Sequence, residues 1–422
     1  MEKYLKNLPP EIKNLIVLAG EVSREIKMPA YLVGGFPRDL ILGAKDWDLD
    51  ITVEGNGIKF AENLAKKLNV SLVRHERFGT ATLIINHCLK VDIATTRKEV
   101  YPSCACLPVV SPGTLKEDLF RRDFTINAMA VNLTAGAARK LIDVFCGKDD
   151  LAAGKIRILH DLSFKDDPTR ILRAIRFKQR YNFKIEPKTL CLLKAAVKSG
   201  LLDKVHPHRM RDELVSMLKE KDPSAQLKQL YDLGGLSFIS NSLKPDRQVY
   251  VLFRSISKEI SWFMRSFPFH GSFEVWLVYF AALLRQLSLV QSKRIIRRLG
   301  LSKQEEKKIL SCRQINQRFI RRLESKQIRP AQVFNLLKPF SYEAIILLRS
   351  ISRDSVSKKH IADFLNIYNS VRLSISGDDL YRLGVLPGPK YQKILNKVFA
   401  ARLNGSVKNR QDELALIGKI VK

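Results

Sequence analysis

The stretch from Tyr31 to Asp50 constrains the fold more than any other part of the chain. An apolar run, Tyr31-Leu-Val33, breaks at Gly34-Gly35. A short amphipathic segment from Arg38 to Leu42 follows and ends at Gly43, and Asp46-Trp-Asp-Leu-Asp-Ile-Thr-Val53 reads as a strand. Residues two apart on a strand point to the same face, so Asp48 and Asp50 aim two carboxylates at one point. Carboxylates that close repel unless a positive charge lies between them. A divalent cation with oxygen ligands meets that need, and Mg²⁺ suits carboxylates combined with phosphates. The Gly34-Gly35 turn lets backbone amides approach a phosphate closely, as in an anion-binding nest, and Arg38 adds a fixed positive charge nearby. Alone, a Gly-Gly pair is also an ordinary tight turn and Asp-x-Asp a solvated strand end; their spacing joins them.

At this spacing the stretch resembles the signature of the nucleotidyltransferase superfamily. The form is that of class II tRNA nucleotidyltransferases (CCA-adding enzymes) and bacterial poly(A) polymerases. The family pattern is Gly-Gly-x-x-Arg-Asp, a small-residue loop, then Asp-x-Asp. This chain matches it, with Phe36-Pro37 where the family usually has a small or β-branched pair.

The 422 residues suffice for two to four domains with their own cores, and 45% hydrophobic content makes the chain globular. Lys plus Arg number 73 against 42 Asp plus Glu, a formal charge of +31. The excess favours a polyanionic partner, nucleic acid first, because it is spread over many helical segments rather than gathered in one tail. Met1-Glu-Lys-Tyr4 lacks a secretory pattern, and the longest apolar run, Val275 to Leu284, is too short to span a bilayer. The cysteines are scattered apart from Cys104 and Cys106. A lone Cys-x-Cys without a second pair is a poor zinc set, so reduced thiols in a cytoplasm are expected.

In chain order, residues 3–28 read as helical, with Pro9-Pro10 as punctuation. A helix is expected over Lys59 to Leu68, and strands over Ser71 to Arg74, Thr80 to Ile85 and Lys90 to Ala94. Asp92, on the last of these, is a candidate third carboxylate or an acid on the strand surface. Arg97 to Pro112 shows no periodicity and is expected to be a mobile loop. Glu117 to Ala130 has apolar spacing that fits one helix packed on the sheet. Within it, Arg121-Arg122-Asp123 and Asn127 resemble the family's second motif, which implies contacts to ribose and triphosphate. Poly(A) polymerases of the family tend to carry Asn or another residue in place of Asp123, so the Asp here leans toward the CCA type. Leu141 to Leu151 resembles the link that closes the catalytic head.

Beyond about residue 155 strand signals almost vanish. Arg170, Arg173 and Arg176 recur every three residues and drift slowly around a helix. Asp166-Asp167-Pro168-Thr169-Arg170 resembles the family's base-selecting motif, usually Glu-Asp-x-x-Arg, with Asp166 one methylene shorter than Glu. Asp167 before Pro168 also spells a helix cap and first residue, and the two readings are compatible. Three apart at a helix start, Asp167 and Arg170 can present an acceptor beside a donor. Cytosine and adenine offer an amino donor next to a ring acceptor, whereas uracil and guanine put a carbonyl oxygen there. Such a pair accepts C and A without a template. Val205 to Leu218 resembles the family's Glu-Arg-x-x-x-Glu helix, with His208 in the first Glu position. Arg209 and Glu213, at i and i+4, read as a helix-stabilising pair.

From about residue 225 to 340 the chain is helical and basic, most densely at Ser292 to Gly300 and Arg313 to Arg322. These are either solvated faces or contacts to an RNA backbone. The tail, Ile375 to Lys390 and a helix ending at Gly405, resembles the family's C-terminal module. Its Leu-Gly-x-x-Pro-Gly-Pro turn is a phosphate grip or a helix connector.

The resemblance is specific over residues 30–215 and moderate in the tail; residues 225–370 match in helical character only. It implies an α+β fold: a mixed-sheet nucleotidyltransferase head (1–150), a helical neck with the base-selecting motif (151–222), a helical basic body (223–340) and a helical RNA-binding tail (341–422). The implied reaction is transfer of CMP or AMP from CTP or ATP to the 3′ end of tRNA. The implied catalytic residues are Asp48, Asp50 and Asp92, with Mg²⁺ on Asp48 and Asp50. Nucleotide contacts are implied for Gly34, Gly35, Arg38, Arg122, Asp123, Asn127, Asp167, Arg170, Arg173 and Arg176. Full CCA addition, CC-only or A-only addition, poly(A) synthesis and an inactive RNA-binding protein remain distinct alternatives, and the intact carboxylates argue against the last.

Overall fold

The computed structural model describes residues 2–44, 47–86, 89–134, 139–267 and 273–421. The chain forms two compact units, Met1–Met217 with Gln229–Phe238, and Leu218–Lys228 with Ile239–Lys422.

The first unit is built on a seven-stranded mixed sheet. Its strands are β1 (Ala30–Val33), β2 (Leu49–Val53), β3 (Ser71–His75), β4 (Thr80–Ile84), β5 (Lys90–Thr95), β8 (Ala130–Asn132) and β9 (Leu141–Ile142). The spatial order is β3-β4-β5-β2-β1-β8-β9. Only β2 and β5 run parallel; the other neighbours are antiparallel. Alternation along the strands sorts the two faces. Leu49, Ile51 and Val53, with Val91, Ile93 and Leu83, pack against the helices Pro10–Glu25 and Gly57–Leu68 in one core. The intervening residues Asp50, Thr52, Asp92 and Thr82 therefore lie on the opposite face.

Three expectations are corrected. β2 starts at Leu49, and Asp46 lies outside the described residues. The Arg97–Pro112 segment is an antiparallel hairpin of β6 (Arg97–Val100) and β7 (Val109–Pro112), not an irregular loop. Ala105, between its strands, donates its amide to the Lys165 carbonyl at 2.9 Å, so the segment is held at both ends. Residues 117–130 do not form one helix. A capping box at Thr114 and Glu117 starts a helix over Leu115–Phe120; a short 3₁₀ turn covers Thr125–Asn127; the chain then enters β8. Tertiary pairing overrides helical spacing here, because β8 supplies the neighbour that β1 needs on its free edge.

The helices Ser163–Asp166, Thr169–Tyr181 and Pro207–Leu218 belong to the same unit as the sheet. A lone parallel pair, Lys155–Ile156 with Lys184–Ile185, is the strand content of this region.

The second unit is helical. The Val275–Leu284 helix is buried at every position from Trp276 to Leu284, which explains its unbroken apolar run. Among the described residues no helix is long and apolar enough to cross a membrane. Some basic residues here hold the fold: Arg313 donates to the carbonyls of Leu284 and Leu287, and Arg349 pairs with buried Glu259 while lying 3.7 Å over the Trp262 ring. Others face solvent, among them Arg294, Arg297, Arg318, Arg321 and Arg322. The Leu383–Pro389 turn joins the helices Gly377–Arg382 and Pro389–Leu403, and Val385 enters their shared core.

Candidate active site

The sheet register brings the first motif together. Val33 pairs with Asp50 across the antiparallel β1–β2 ladder, so the turn that follows Val33 lies beside Asp50. Gly34 has φ 72°. A Cβ there would sit 2.7 Å from Asp50 Oδ2 and 3.3 Å from Arg122 Nη1, so both the conformation and the space require glycine. The parallel β2–β5 ladder sets Asp92 directly beside Asp50, and Asp92 Oδ1 accepts a 2.6 Å bond from Thr82 Oγ1.

Asp48 is exposed and Asp50 half-buried. Burial pushes the Asp50 carboxyl up to about 6, the negative charges of Asp48, Asp92 and Asp118 add to the rise, and Arg122 opposes it. Charge of this kind, crowded and incompletely compensated, is what an oxygen-bound cation relieves. Among the described residues no three His, Cys, Asp or Glu side chains gather closely enough to hold an ion by themselves. A carboxylate pair suits Mg²⁺, which completes its shell with phosphate oxygens and water.

A stability test follows from the raised pKa. Without divalent cations, folded Asp50 keeps its proton up to about pH 6, whereas an unfolded Asp releases it near 4. The folded state then binds more protons in that window, so this group's contribution falls as pH rises from about 4 to 6. Asp50→Asn removes the penalty and is expected to stabilise the cation-free protein at pH 7.5 by about 1–3 kcal/mol. Denaturant curves in chelator measure it, and equal or lower stability would contradict the crowding.

Behind the carboxylates lies an ion-pair lattice. Asp118 is fully buried and receives Arg121 Nη2 and Arg122 Nη2, each at 2.8 Å. Burial alone would raise its carboxyl, but the two guanidinium groups overcome that and hold it below the usual range. Arg121 also reaches Glu99 at 3.2 Å, and Glu99 takes Arg97 at 3.1 Å and the Tyr101 hydroxyl at 2.9 Å. Asp123 is buried and accepts from Arg173 at 2.7 Å and from Asn127 Nδ2 at 2.9 Å. Against the effect of burial, Arg173 and Asn127 hold Asp123 down at about 2. Arg38 is likewise buried: it pairs with Asp39 at 2.7 Å, donates to Asn127 Oδ1, and lies over the rings of Phe177 and Tyr181. Arg38, Asp123 and Asn127 therefore tie the sheet to the Thr169–Tyr181 helix as well as lining the cleft.

The neck residues are placed differently from their sequence spacing. Asp167 Oδ1 accepts from the Thr169 amide and hydroxyl, which is the capping role, while Oδ2 takes Arg209 Nη2 at 2.7 Å. Arg170 turns away to Ser163 Oγ and the Arg121 carbonyl, both at 2.6 Å. The donor beside Asp167 is thus Arg209. The Arg209–Glu213 helix pair is not formed; Glu213 instead accepts from Arg173 and Arg176, each at 3.2 Å. Sequence spacing missed Asp118, Glu99 and Arg209 as site residues. For Asp118 there was a signal, an acid three and four residues before adjacent arginines.

One cleft of about 930 Å³ collects Gly34, Asp48, Asp50, Arg122, Asp167 and the neck arginines. Into its walls are built three buried donors without a protein acceptor: Arg122 Nε, Arg176 Nε and Arg209 Nη1. Buried donors of this kind are rare unless a ligand supplies the acceptor.

Comparison with known proteins agrees with this geometry. Family models match in series: the poly A polymerase head domain over residues 30–157, the "Probable RNA and SrmB- binding site of polymerase A" over 182–245, and tRNA nucleotidyltransferase domain 2 over 267–417. An A-adding tRNA nucleotidyltransferase of Geobacter sulfurreducens is 37% identical over 97% of this chain, which spans 47% of that relative's length. An A-adding tRNA nucleotidyltransferase of Halalkalibacterium halodurans is 30% identical over 95% of this chain and 90% of its own. The structure of the Thermotoga maritima CCA-adding enzyme in complex with tRNA superposes with a TM-score of 0.75, at 33% identity, covering 100% of this chain and 98% of that one. With a carboxylate pair on its sheet, an arginine-lined cleft and matches along nearly its whole length, the chain belongs to the class II tRNA nucleotidyltransferase and poly(A) polymerase family.

Proposed function

We propose that the chain transfers a nucleoside monophosphate from CTP or ATP to the 3′ end of tRNA, with release of pyrophosphate and no nucleic-acid template. The observation that carries this reading is Asp50 set against the Gly34 turn with the Asp48 charge close by, in a cleft with three unsatisfied guanidinium donors. Asp48 and Asp50 would hold Mg²⁺, which when bound supplies charge neutralisation for the triphosphate and the acceptor oxygen. Arg122 and Arg176 offer their unsatisfied N–H groups to phosphate oxygens, and Gly34 and Gly35 line the same cleft. Asp92, in register with Asp50, would take the proton of the 3′-hydroxyl as the new O3′–Pα bond forms and the bond from Pα to the leaving pyrophosphate breaks.

Asp167 with Arg209 presents an acceptor beside a donor to the base. Asp167→Ala is expected to reduce discrimination against UTP and GTP by about one to two decades, the worth of a hydrogen bond to a charged group. Loss of the cap lowers stability as well, by about 1–2 kcal/mol. Steady-state kcat/KM for the four nucleotides beside a thermal melt measures both, and unchanged ratios with a lowered melting point would leave Asp167 a cap alone.

The narrower reading we favour is addition of the terminal AMP, since the relatives at 37% and 30% identity over 97% and 95% of the chain are named A-adding, whereas a CCA-adding enzyme aligned over 99% of it is 27% identical. The test uses tRNAs ending at the discriminator base, in C and in CC, each with CTP and ATP separately, and sequences the 3′ ends. AMP added to CC ends with no CMP added anywhere supports A-only addition; CMP added to the shorter ends overturns it in favour of CC or full CCA synthesis.

A further inference from the structure

The phenyl ring of Phe177 lies in the wall of the large cleft, and arginines crowd around it. The guanidinium carbons of Arg38, Arg173 and Arg176 stand 5.3, 5.4 and 5.0 Å from its centroid. We propose that Phe177 is a positioning residue for the nucleoside triphosphate: its ring holds the three guanidinium groups together in the cleft and leaves N–H groups free for phosphate oxygens. The inference rests on the transfer reaction proposed above.

The fold brings the three arginines to one ring from two directions. Phe177 lies on the Thr169–Tyr181 helix, where Arg173 is four residues before it on the same face and Arg176 immediately precedes it. Arg38 comes from the Gly35–Leu42 helix that follows the Gly34 turn. Phe177 is 4% exposed, and two further rings fix it in place. Phe124 meets it edge to face at 5.9 Å and 88°, and Tyr181 stacks with it at 6.0 Å and 22°.

Three like charges gathered this closely repel one another. Carboxylates oppose that repulsion, but each one takes N–H donors in doing so. Arg38 uses Nε, Nη1 and Nη2 on Asp39 and Asn127, and Arg173 uses Nε and Nη1 on Asp123 and Glu213. A ring attracts a cation through its quadrupole and leaves the N–H groups for oxygen acceptors. Arg176 shows the result. It is buried, its approach to the ring is the shortest of the three, Glu213 accepts from Nη2 at 3.2 Å, and Nε has no partner. Leucine would fill much of the same space and supply no such field. The ligand that completes the arrangement is a polyanion with several oxygen acceptors close together, as a triphosphate has.

The experiment measures equilibrium binding of ATP with magnesium to the full chain without tRNA, and KM and kcat for ATP with a tRNA ending in CC. The parent is compared with Phe177→Leu and with proteins carrying one, two or three fluorines on the Phe177 ring. Fluorine keeps the ring's shape and progressively cancels the negative potential of its face. Phe177→Leu is expected to weaken ATP binding about ten- to thirtyfold and to raise KM in step, with kcat within about threefold of the parent. The trifluorinated ring is expected to weaken binding about three- to tenfold, with the lighter substitutions between. A thermal melt accompanies each protein, and the fluorinated series carries the test if Phe177→Leu melts below the assay temperature. ATP affinity unchanged along the fluorine series, or a loss confined to kcat, overturns the positioning role and leaves the transfer reaction standing. No ATP binding by the parent overturns the transfer reading and the positioning role with it.

Discussion

Asp48→Asn and Asp50→Asn are each expected to remove nearly all nucleotide incorporation while tRNA affinity stays within about twofold of the parent. Asp50, on β2, faces the Gly34 turn and is compressed among three other acids, one of them Asp48 just before the strand. Asn keeps the shape and hydrogen-bonding capacity of the side chain but not the charge that holds a divalent cation. The exposed arginines of the second unit are untouched by either change. Incorporation rates within about tenfold of the parent, a barrier difference of only ~1.4 kcal/mol, would contradict the carboxylate assignment.

Asp118→Ala is expected to be the most destabilising substitution in the head, by about 3–5 kcal/mol, because it leaves two guanidinium groups in a buried site without their carboxylate. Asp118 has no exposure to solvent; it pairs with both Arg121 and Arg122, and its loss leaves Arg121 only Glu99. That is a large share of a typical domain's net stability of about 5–15 kcal/mol. Activity should fall too, since Arg122 would no longer be held beside Asp50. Denaturant unfolding measures the first effect. A loss under about 1 kcal/mol would mean that Arg121 and Arg122 find other acceptors, and that the lattice behind the carboxylates is not rigid.

Much of the head was legible from sequence because its signals are local. Gly34 and Asp50 are joined by one hairpin, and Asp48 follows from its spacing to Asp50 even though it precedes the strand. The Asp92 position was legible in the same way once β5 was recognised, although its pairing with β2 is not local. What the sequence could not show was how long-range partners divide the charged side chains. Arg170 lies at the right spacing to stand beside Asp167, yet the space next to Asp167 is filled by Arg209 from another helix. Arg209 and Glu213 have ideal helical spacing, yet each finds a stronger partner across the fold. The helix expected over residues 117–130 failed for a similar reason, since β8 completes a ladder that periodicity within the segment does not reveal. The Arg97–Pro112 hairpin carries too few residues per strand for its alternation to stand out, and its tie to Lys165 comes from elsewhere in the chain.

The most direct test of the central claim is the mass of a tRNA ending in CC after incubation with the protein, ATP and Mg²⁺. The account predicts a gain of a single AMP at the 3′ end, with one pyrophosphate released per tRNA, and no gain when Asp50→Asn replaces the parent. An unchanged tRNA mass with the parent protein, or an equal gain with Asp50→Asn, would contradict it.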